Sequence, residues 1–311
     1  MKETRIVFFG TPEFALKTLD SLHDAFTVAA VVTQPDRPSG RGKKMLPPPV
    51  KLRAQALGID LLQPTKIRNA EFVSWLQSMA PDFLVTAAYG RILSPQILAV
   101  PRVSALNVHA SLLPRWRGAA PIHRAVLAGD CESGITIMQM DEGMDTGDII
   151  LQSSVPIGYH ETTGDLHDKL TVLGAKLIVE AVTAILAGTA KNTVQDDKLA
   201  TLAPPLTKEE EILDWCADTR LIHNQVRGMN PWPGMYTWFK GERLKIWAGH
   251  PVNLTGANCG QVLSAGREGI FIGTGDGVYC ISLLQLPGKK IMDAADFLRG
   301  NLLSPGAILG K

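Results

Sequence analysis

Residues 5–13 read RIVFFGTPE, an apolar run that passes through a turn into the first residues of a helix. The apolar part has the length and composition of a strand that is buried on both faces. Thr11, Pro12 and Glu13 supply an N-cap residue, a proline at the first helical position and an acid in the first turn. The stretch therefore predicts a buried strand followed at once by a helix.

The same alternation of strand and helix repeats through the first half of the chain. Apolar runs predict strands at residues 26–32, 83–89, 105–110 and 135–140, and helical patterns lie at residues 50–57, 69–79 and from residue 94. This alternation indicates a mostly parallel sheet with helices on both faces. An edge strand at residues 149–157 and a long amphipathic helix at residues 164–186 follow.

The second half of the chain has a different pattern. Residues 188–205 are polar and contain a Pro-Pro pair, as an interdomain linker does. A helix at residues 219–229 is followed by five short strand-like runs with glycines between several of them, which favour a small barrel of the OB type. We therefore expect an α/β chain with three parts. They are a mostly parallel sheet domain at 1–188, a linker at 189–206 and a small C-terminal OB-like β-barrel domain at 207–311.

Composition excludes several classes of protein. The chain has 311 residues, 45% of them apolar and 20% charged, with a net charge of +1, so disorder, a coiled coil and overall electrostatic binding of nucleic acid are disfavoured. No apolar run approaches the roughly 20 residues that span a bilayer. The N-terminus also lacks an apolar signal segment, and we expect a soluble, cytoplasmic protein. The four cysteines have no metal-binding spacing and are expected to be buried, reduced thiols.

The strongest sign of chemistry is the run LNVHASLLP at residues 106–114. Asn107 and His109 are two apart in a predicted strand, so their side chains share one face of the sheet. Both lie near the carboxyl end of the strand, where open α/β sheets bind ligands. An amide that stabilises an oxyanion beside an imidazole that handles protons suits acyl-type transfer, although a histidine in a strand is often only structural.

A second sign is the acidic loop MDEGMDTGD at residues 140–148. It follows another predicted strand, so we expect its carboxylates at the same end of the sheet as His109. Acids beside glycine are ordinary turn residues, and the loop lacks the twelve-residue spacing of a calcium-binding EF-hand. One of its carboxylates could orient His109 and stabilise its protonated form, as the acid of a catalytic triad does.

Two further segments invite a binding function. Residues 9–12, FGTP, follow the first strand but lack both the Gly-x-Gly-x-x-Gly pattern and the P-loop lysine, so a simple strand-to-helix turn is favoured over a nucleotide site. Residues 34–51 carry five cations against Asp36 alone. Such a segment is either a solvated loop or an arm for phosphate backbones, and the residues alone leave both readings open.

Over essentially its full length the chain resembles the folate-dependent formyltransferases. The superfamily is indicated by NVHASLLPRWRGAAPI at residues 107–122 and MDTGD at residues 144–148. Within it, the chain is most similar to the methionyl-tRNA formyltransferases. FGTPEF at 9–14 also carries the resemblance, and the motifs that narrow it to this family are QPDRP at 34–38, GRGKK at 40–44 and VRGMNPWPG at 226–234.

The resemblance implies a Rossmann-like formyltransferase domain, a linker and a C-terminal OB-like barrel. It also implies transfer of a formyl group from 10-formyltetrahydrofolate to the α-amine of methionine on initiator tRNA. It assigns catalysis to Asn107, His109 and Asp145, and tRNA contacts to Arg37, Arg41, Lys43, Lys44 and the C-terminal domain. It implies a folate site built from two segments, namely Ser111, Leu112, Leu113, Pro114 and Ala88, Tyr89, Gly90, Ile92, Leu93. No metal is implied, no membrane contact is expected, and we expect a monomer.

Three alternatives remain from the sequence. Glycinamide ribonucleotide formyltransferases lack a C-terminal barrel of this kind, and sugar-nucleotide formyltransferases would not need the basic segment. A non-catalytic RNA-binding protein with a relic sheet domain is a different class, and the intact Asn107, His109 and Asp145 weigh against it. The residues do not indicate which group removes the amine proton.

Overall fold

Two compact units make up the chain. The structure is a computed structural model that describes residues 3–39, 44–254 and 258–310, with the main chain only at Ser39 and Lys44. Each unit combines three stretches of sequence. Unit 1 comprises Met1–Pro121, Ser133–Val155 and His167–Pro204, and unit 2 comprises Ile122–Glu132, Pro156–Leu166 and Pro205–Lys311.

Unit 1 is built on a large sheet with helices between its strands. The strands up to residue 204 are β1 (Arg5–Gly10), β2 (Thr27–Val32), β3 (Arg37–Ser39), β4 (Lys44–Leu46), β5 (Leu61–Leu62), β6 (Phe83–Ala87), β7 (Ser104–His109), β8 (Arg117–Gly118), β9 (Glu132–Gln139), β10 (Ile149–Pro156) and β11 (Leu202–Ala203). The helices up to residue 204 are α1 (Leu16–Ala25), α2 (Pro49–Ala56), α3 (Ala70–Ser78), α4 (Pro95–Leu98), α5 (Pro121–Ala128) and α6 (Thr163–Leu186). Of these, α5 from residue 122 onward and the first turn of α6 belong to unit 2. Within the described residues the large sheet has the order β10-β9-β7-β6-β1-β2-β5.

Five neighbouring strands of this sheet are parallel. β5, β2, β1, β6 and β7 all run in one direction, and the apolar residues 6–9 at the centre of the sheet are fully buried. The carboxyl ends of these strands therefore share one edge, which carries Gly10, Val32, Ala87 and His109. The predicted mostly parallel sheet is confirmed.

Strand β9 runs against this direction. It is antiparallel to β7, with His109 opposite Thr136 and Leu106 opposite Gln139. A parallel neighbour requires a crossover to the opposite edge of the sheet. The connection 110–131 instead returns to the edge at which β7 ends, so the expectation that the acidic loop follows a strand toward the ligand edge is wrong. The loop reaches that edge by folding back from the far end of β9.

The turn after β1 also differs from the prediction. A 3₁₀ turn at Glu13–Ala15 precedes α1, and the Thr11 side chain does not cap it. The Thr11 hydroxyl donates instead to the carbonyl of Tyr89, at 3.2 Å. The turn thus contacts the segment that follows β6.

Part of the basic segment is regular structure. β3 and β4 pair in antiparallel fashion, with Arg37 opposite Leu46. Lys51 Nζ lies 2.8 Å from both carboxylate oxygens of Asp36. Hydrogen bonds from Lys51 and Gln63 lower the pKa of Asp36. Lys51 is therefore paired with an acid of its own segment.

Helix α6 carries the amphipathic stripe that its spacing predicts. Leu166, Leu170, Leu177 and Ala181 are all buried, so the stripe packs into the protein interior. No helix in residues 3–39, 44–254 or 258–310 is both long enough and apolar enough to cross a membrane.

Unit 2 contains, besides α5, an antiparallel sheet and helices in its C-terminal stretch. Its elements are α7 (Thr219–Gly228), β12 (Met235–Phe239), β13 (Glu242–Val252), β14 (Val262–Gly266), β15 (Gly269–Gly273), β16 (Val278–Gln285), β17 (Met292–Asp293) and α8 (Ala294–Gly300). The order is β12-β13-β16-β15-β14, and β17 pairs with β16. The predicted C-terminal β domain is confirmed, and its strands are antiparallel. Its closure as an OB-type barrel stays a prediction.

The cysteines do not all behave as predicted. Cys216 and Cys259 form a disulfide with a Cα–Cα distance of 5.0 Å, and Cys131 is exposed. Only Cys280 is both free and buried among the described residues. The expectation of four buried, reduced thiols is wrong because the fold brings together two residues that are 43 positions apart.

Arg227 on α7 ties three stretches of unit 2 together. Its buried guanidinium donates to the carbonyls of Gly158 and Glu161, at 3.2 and 3.0 Å, and to that of Val126, at 3.5 Å. Asn224 accepts two further bonds from it. A buried cation is tolerated only when its donors are satisfied, and here carbonyls from two distant stretches do this.

His223, on the same helix, predicts a pH dependence of stability. Desolvation lowers its pKa to about 4, with Arg227, His160 and His250 adding repulsion, although its bond to the Tyr159 carbonyl opposes the shift. Below the ordinary value of 6.5 the unfolded chain takes up a proton that folded His223 does not. We expect the free energy of unfolding to fall by about 2 kcal/mol between about pH 7.5 and pH 5 through this residue. Urea unfolding of the wild type and of His223→Gln at both pH values measures this fall. If the free energy of unfolding fell equally in the two proteins, His223 would not be its cause.

Candidate active site

Asn107 lies on β7 with its amide held in one orientation. Its Oδ1 atom is 2.7 Å from the hydroxyl of Thr86, its partner on β6. Because this oxygen accepts from Thr86, the Nδ2 atom faces Asp145, whose Oδ1 is 3.4 Å away. At that length the contact is weak, so the amide hydrogens remain able to serve a second acceptor.

His109, two residues further along the same face, is 5% exposed. Its Nδ1 atom lies 3.6 Å from Asp145 Oδ2, and its Nε2 atom lies 2.9 Å from the carbonyl oxygen of Trp116. Each ring nitrogen thus faces an acceptor. An imidazolium in this place would have a partner for both of its hydrogens.

The Asp145 carboxylate connects the two side chains. Besides Asn107 and His109 it accepts a 2.9 Å bond from the main-chain amide of Gly118. Its side chain is 17% exposed, and its φ of +56° lies in the left-handed region, which costs a residue with a Cβ about 1 kcal/mol. The surrounding loop therefore has to hold this residue in place.

The loop between β9 and β10 is closed tightly at its base. The Gln139 amide donates to the Asp148 carbonyl at 2.9 Å, and a Cβ at Gly147 would sit 1.9 Å from the Gln139 oxygen. Only glycine fits at position 147. Asp141, which accepts from Gly143 and Thr146 at the tip, is an Asx-type turn residue.

The segment at residues 111–114, which follows β7, is held by the side chains of Thr136 and Gln152. Thr136 accepts from the Leu113 amide and donates to the Ser111 carbonyl, while Gln152 donates to the Leu113 carbonyl at 2.8 Å. Ser111 and Leu113 are buried, and the Ser111 hydroxyl donates to Arg115. Leu112 and Pro114 are therefore the predicted folate contacts in this segment that remain partly accessible.

The second predicted folate segment, residues 88–93, is an irregular loop after β6. Gln34 donates to the carbonyls of Tyr89 and Gly90, at 2.9 and 3.2 Å, and Tyr89 and Leu93 are buried. Ala88, Gly90 and Ile92 are exposed. Within the described part of the chain, the amides at positions 91–93 donate to no protein acceptor. A surface cleft of about 540 Å³ runs beside this loop, lined by Thr65, Lys66, Ile67, Arg68, Gly90, Arg91 and Ile92.

The four predicted tRNA residues are described only in part. Arg37 is exposed at the start of β3, and its guanidinium donates to Gln34. Arg41, Lys43 and the Lys44 side chain lie outside the described residues. Through Gln34, Arg37 is linked to the loop at residues 88–93.

Sequence reasoning missed several residues that hold this geometry. Thr86 is a buried hydroxyl in the otherwise apolar run FLVTA, and that contrast is a signal. Gln34 stands beyond the end of β2, at the ligand edge, and could have been noticed on the same ground. Gln195 donates to the Asp145 carbonyl and accepts from Arg117. Nothing in the local sequence indicates either contact.

Comparison with known proteins identifies the family of the chain. The formyl transferase family model matches residues 4–182, and the model of the formyl transferase C-terminal domain matches residues 205–302. Among solved structures, an N-formyltransferase from Helicobacter canadensis in complex with folinic acid and dTDP-3-aminofucose is similar. It has a TM-score of 0.67 at 20% identity, over 91% of this chain and 100% of that one. At this identity the likeness concerns the fold alone.

Relatives at higher identity are more informative. The methionyl-tRNA formyltransferase of Pelotomaculum thermopropionicum is 50% identical over 310 residues, which cover 99% of both chains. That of Moorella thermoacetica is 49% identical over 98% of this chain and 99% of its own. Such identity along the whole length, with both family models matched, shows that the chain belongs to the methionyl-tRNA formyltransferase family of formyl transferases.

Proposed function

We propose that the protein transfers a formyl group from 10-formyltetrahydrofolate to the α-amine of methionyl initiator tRNA. The observation that carries the proposal is the Asp145 carboxylate, which contacts both the Asn107 amide and the His109 ring. This arrangement combines an oxyanion donor with a proton-handling pair. We place the enzyme in the cytoplasm, where charged initiator tRNA is used, and propose that it works as a monomer.

For this reaction the protein has to hold the two substrates together and to supply polar groups at the reacting atoms. The folate supplies an activated formyl group on N10. A free α-amine has a pKa near ~8, so a useful fraction is neutral at physiological pH. Asn107 Nδ2 would donate to the oxyanion that forms when the amine attacks. Asp145 would hold His109 as an imidazolium whose proton can pass to the departing nitrogen.

The ring of His109 has to change partner during this cycle. Its Nε2 atom is bonded to the Trp116 carbonyl, so the hydrogen there reaches a formyl oxygen only when that oxygen displaces or shares the Trp116 contact. Trp116 has a φ of +65° in the turn between β7 and β8. We assign this carbonyl the role of holding the imidazole until the formyl donor is bound.

The residues present fit a pteridine. The exposed Ile92 offers an apolar contact, and the unbonded amides at positions 91–93 suit the ring nitrogens and the carbonyl of the pteridine edge. Gln34 and Thr11 hold the carbonyls at the start of the loop. Leu112 and Pro114 would form the wall on the other side.

The decisive experiment measures which acceptor makes the purified protein consume 10-formyltetrahydrofolate. We expect consumption with methionyl initiator tRNA and none with glycinamide ribonucleotide or an amino-sugar nucleotide. Formylation of either small acceptor without tRNA would contradict the assigned substrate. Binding of tRNA with no turnover would assign the chain to the non-catalytic class.

The basic segment predicts salt-dependent recognition of tRNA. The triple variant Arg41→Ala, Lys43→Ala, Lys44→Ala should raise KM for methionyl-tRNA. Its salt dependence should flatten by about one unit of log-log slope for each phosphate group that the variant no longer binds. KM for 10-formyltetrahydrofolate should stay near the wild-type value. Steady-state kinetics at two salt concentrations, with each substrate varied in turn, provide the measurement.

A matched control separates local contact from net charge. Lys17, Lys169 and Lys176 are exposed on helices α1 and α6, and their triple replacement with alanine removes the same charge. We expect that variant to keep the wild-type tRNA KM. If both triple variants raised KM for methionyl-tRNA equally, residues 34–51 would be a solvated loop without a specific tRNA contact.

A further inference from the structure

The main chain of Asp145 is held by the side chain of Gln195, which lies in the polar segment that follows α6. Gln195 Nε2 donates to the Asp145 carbonyl at 2.9 Å and to the Gly147 carbonyl at 2.7 Å. Both hydrogens of this amide are therefore used within three residues of one loop. Gln195 is 7% exposed, so these bonds are protected from water.

The other end of the same amide contacts Arg117. Gln195 Oε1 accepts from Arg117 Nε at 3.1 Å and from Nη2 at 2.8 Å. These donors fix which end of the Gln195 amide is oxygen, and hence that Nε2 faces the Asp145 loop. Arg117 is equally buried, and its Nη2 atom also pairs with Asp197.

Arg117 stands between the two main-chain groups that contact the candidate catalytic side chains. The carbonyl of Trp116 before it accepts from His109, and the amide of Gly118 after it donates to Asp145. The Arg117–Gln195 contact therefore joins the segment that holds His109 to the loop that presents Asp145.

The Arg117–Gln195 contact matters because the backbone of Asp145 is in the strained left-handed conformation. Its left-handed backbone persists only where the surroundings fix it. Gln195 fixes it from the C-terminal side, because it binds the carbonyl of Asp145 itself and the carbonyl of Gly147 two residues later. Without the amide, the loop could relax and move the carboxylate away from His109. A displacement of about 1 Å at a reacting centre can cost on the order of 10²-fold in rate.

We propose that Gln195 is a positioning residue for formyl transfer, which acts through Asp145 and is itself oriented by Arg117. Gln195 touches neither substrate in this role. It sets the distance between the Asp145 carboxylate and the His109 ring. Because kcat for formyl transfer is the readout, the role assigned to Gln195 rests on the proposed function.

The first test is Gln195→Met, which keeps the length of the side chain and removes its hydrogen bonds. We expect kcat to fall about 10-fold to 100-fold, with KM for 10-formyltetrahydrofolate and for methionyl-tRNA within about two-fold of wild type. Asn192→Ala is the matched control. Asn192 lies on the same segment and bonds Gln139 and Asp148 but not Asp145, so kcat should stay within about two-fold.

Gln195→Glu keeps the proposal testable if the methionine variant does not fold. Its carboxylate still accepts from Arg117 but has no hydrogen for the carbonyls of Asp145 and Gly147. We expect the same loss of kcat from a protein that still folds, because the contact with Arg117 is kept. Wild-type kcat in a folded Gln195→Glu protein would overturn the proposal.

A double-mutant cycle distinguishes positioning from general stabilisation. In an Asp145→Asn background, single-turnover rates should hardly change when Gln195→Met is added, because the carboxylate that Gln195 positions is already gone. Equal fold-losses in both backgrounds would overturn the role through Asp145. Absence of turnover by wild type and Asn192→Ala alike would instead contradict the proposed function.

Discussion

Asp145→Asn is expected to lower kcat by about 10³-fold to 10⁴-fold, which is the size of effect seen when the acid that orients a catalytic histidine becomes an amide. The substitution keeps the shape of the side chain and can still accept from the Gly118 amide. It removes the charge that balances an imidazolium at His109, 3.6 Å away. Single-turnover formylation at saturating folate measures the effect, and folate binding should be mostly kept.

The control for this prediction is Glu142→Gln. Glu142 is exposed in the same loop, so the variant makes the same change of charge without touching His109. We expect kcat near wild type. If Asp145→Asn abolished folate binding and left turnover at saturating folate intact, Asp145 would be a binding residue instead of a partner of His109.

Asn107→Ala is expected to lower kcat by about 10²-fold to 10³-fold, or ~3–4 kcal/mol, because it deletes one preorganised donor to the oxyanion. The side chain is only partly buried and the strand around it is fixed by its ladder, so folding should be little affected. Single-turnover kinetics, with circular dichroism as the check on folding, measure it.

Thr86→Val provides the graded comparison for Asn107. The change is nearly isosteric and removes the hydroxyl that orients the Asn107 amide. A loss of kcat in the same direction but smaller is expected, since the amide remains present while its orientation is no longer enforced. Near-normal rates in a folded Asn107→Ala protein would show that the oxyanion is stabilised elsewhere.

The parts of the site that were predictable follow local rules. Period-two alternation places Asn107 and His109 on one face, and the rule for parallel strands places them at the ligand edge. Both are consequences of short stretches of sequence. The family resemblance then singled out Asp145 from an acidic loop in which turn chemistry also explains the other acids.

The parts that were not predictable depend on contacts between distant residues. The direction of β9 depends on the edge to which the connection 110–131 returns, which no local pattern encodes. Gln195 lies in a polar stretch that has the composition of a linker, yet it bonds a loop 50 residues away. The Cys216–Cys259 pair likewise depends on the tertiary fold.

Arg227 donates to the main-chain carbonyls of residues 126, 158 and 161, and these bonds limit where the chain can be cut into fragments that fold. A fragment that starts at residue 205 would retain the guanidinium without any of these three main-chain acceptors. Its donors would then have to be resolvated, or would remain buried without partners at a cost of several kcal/mol. The stretch from residue 205 to residue 311 is therefore not an exchangeable module. Recombination between relatives has to carry the two short stretches at residues 122–132 and 156–166 along with it, because those stretches complete its interior.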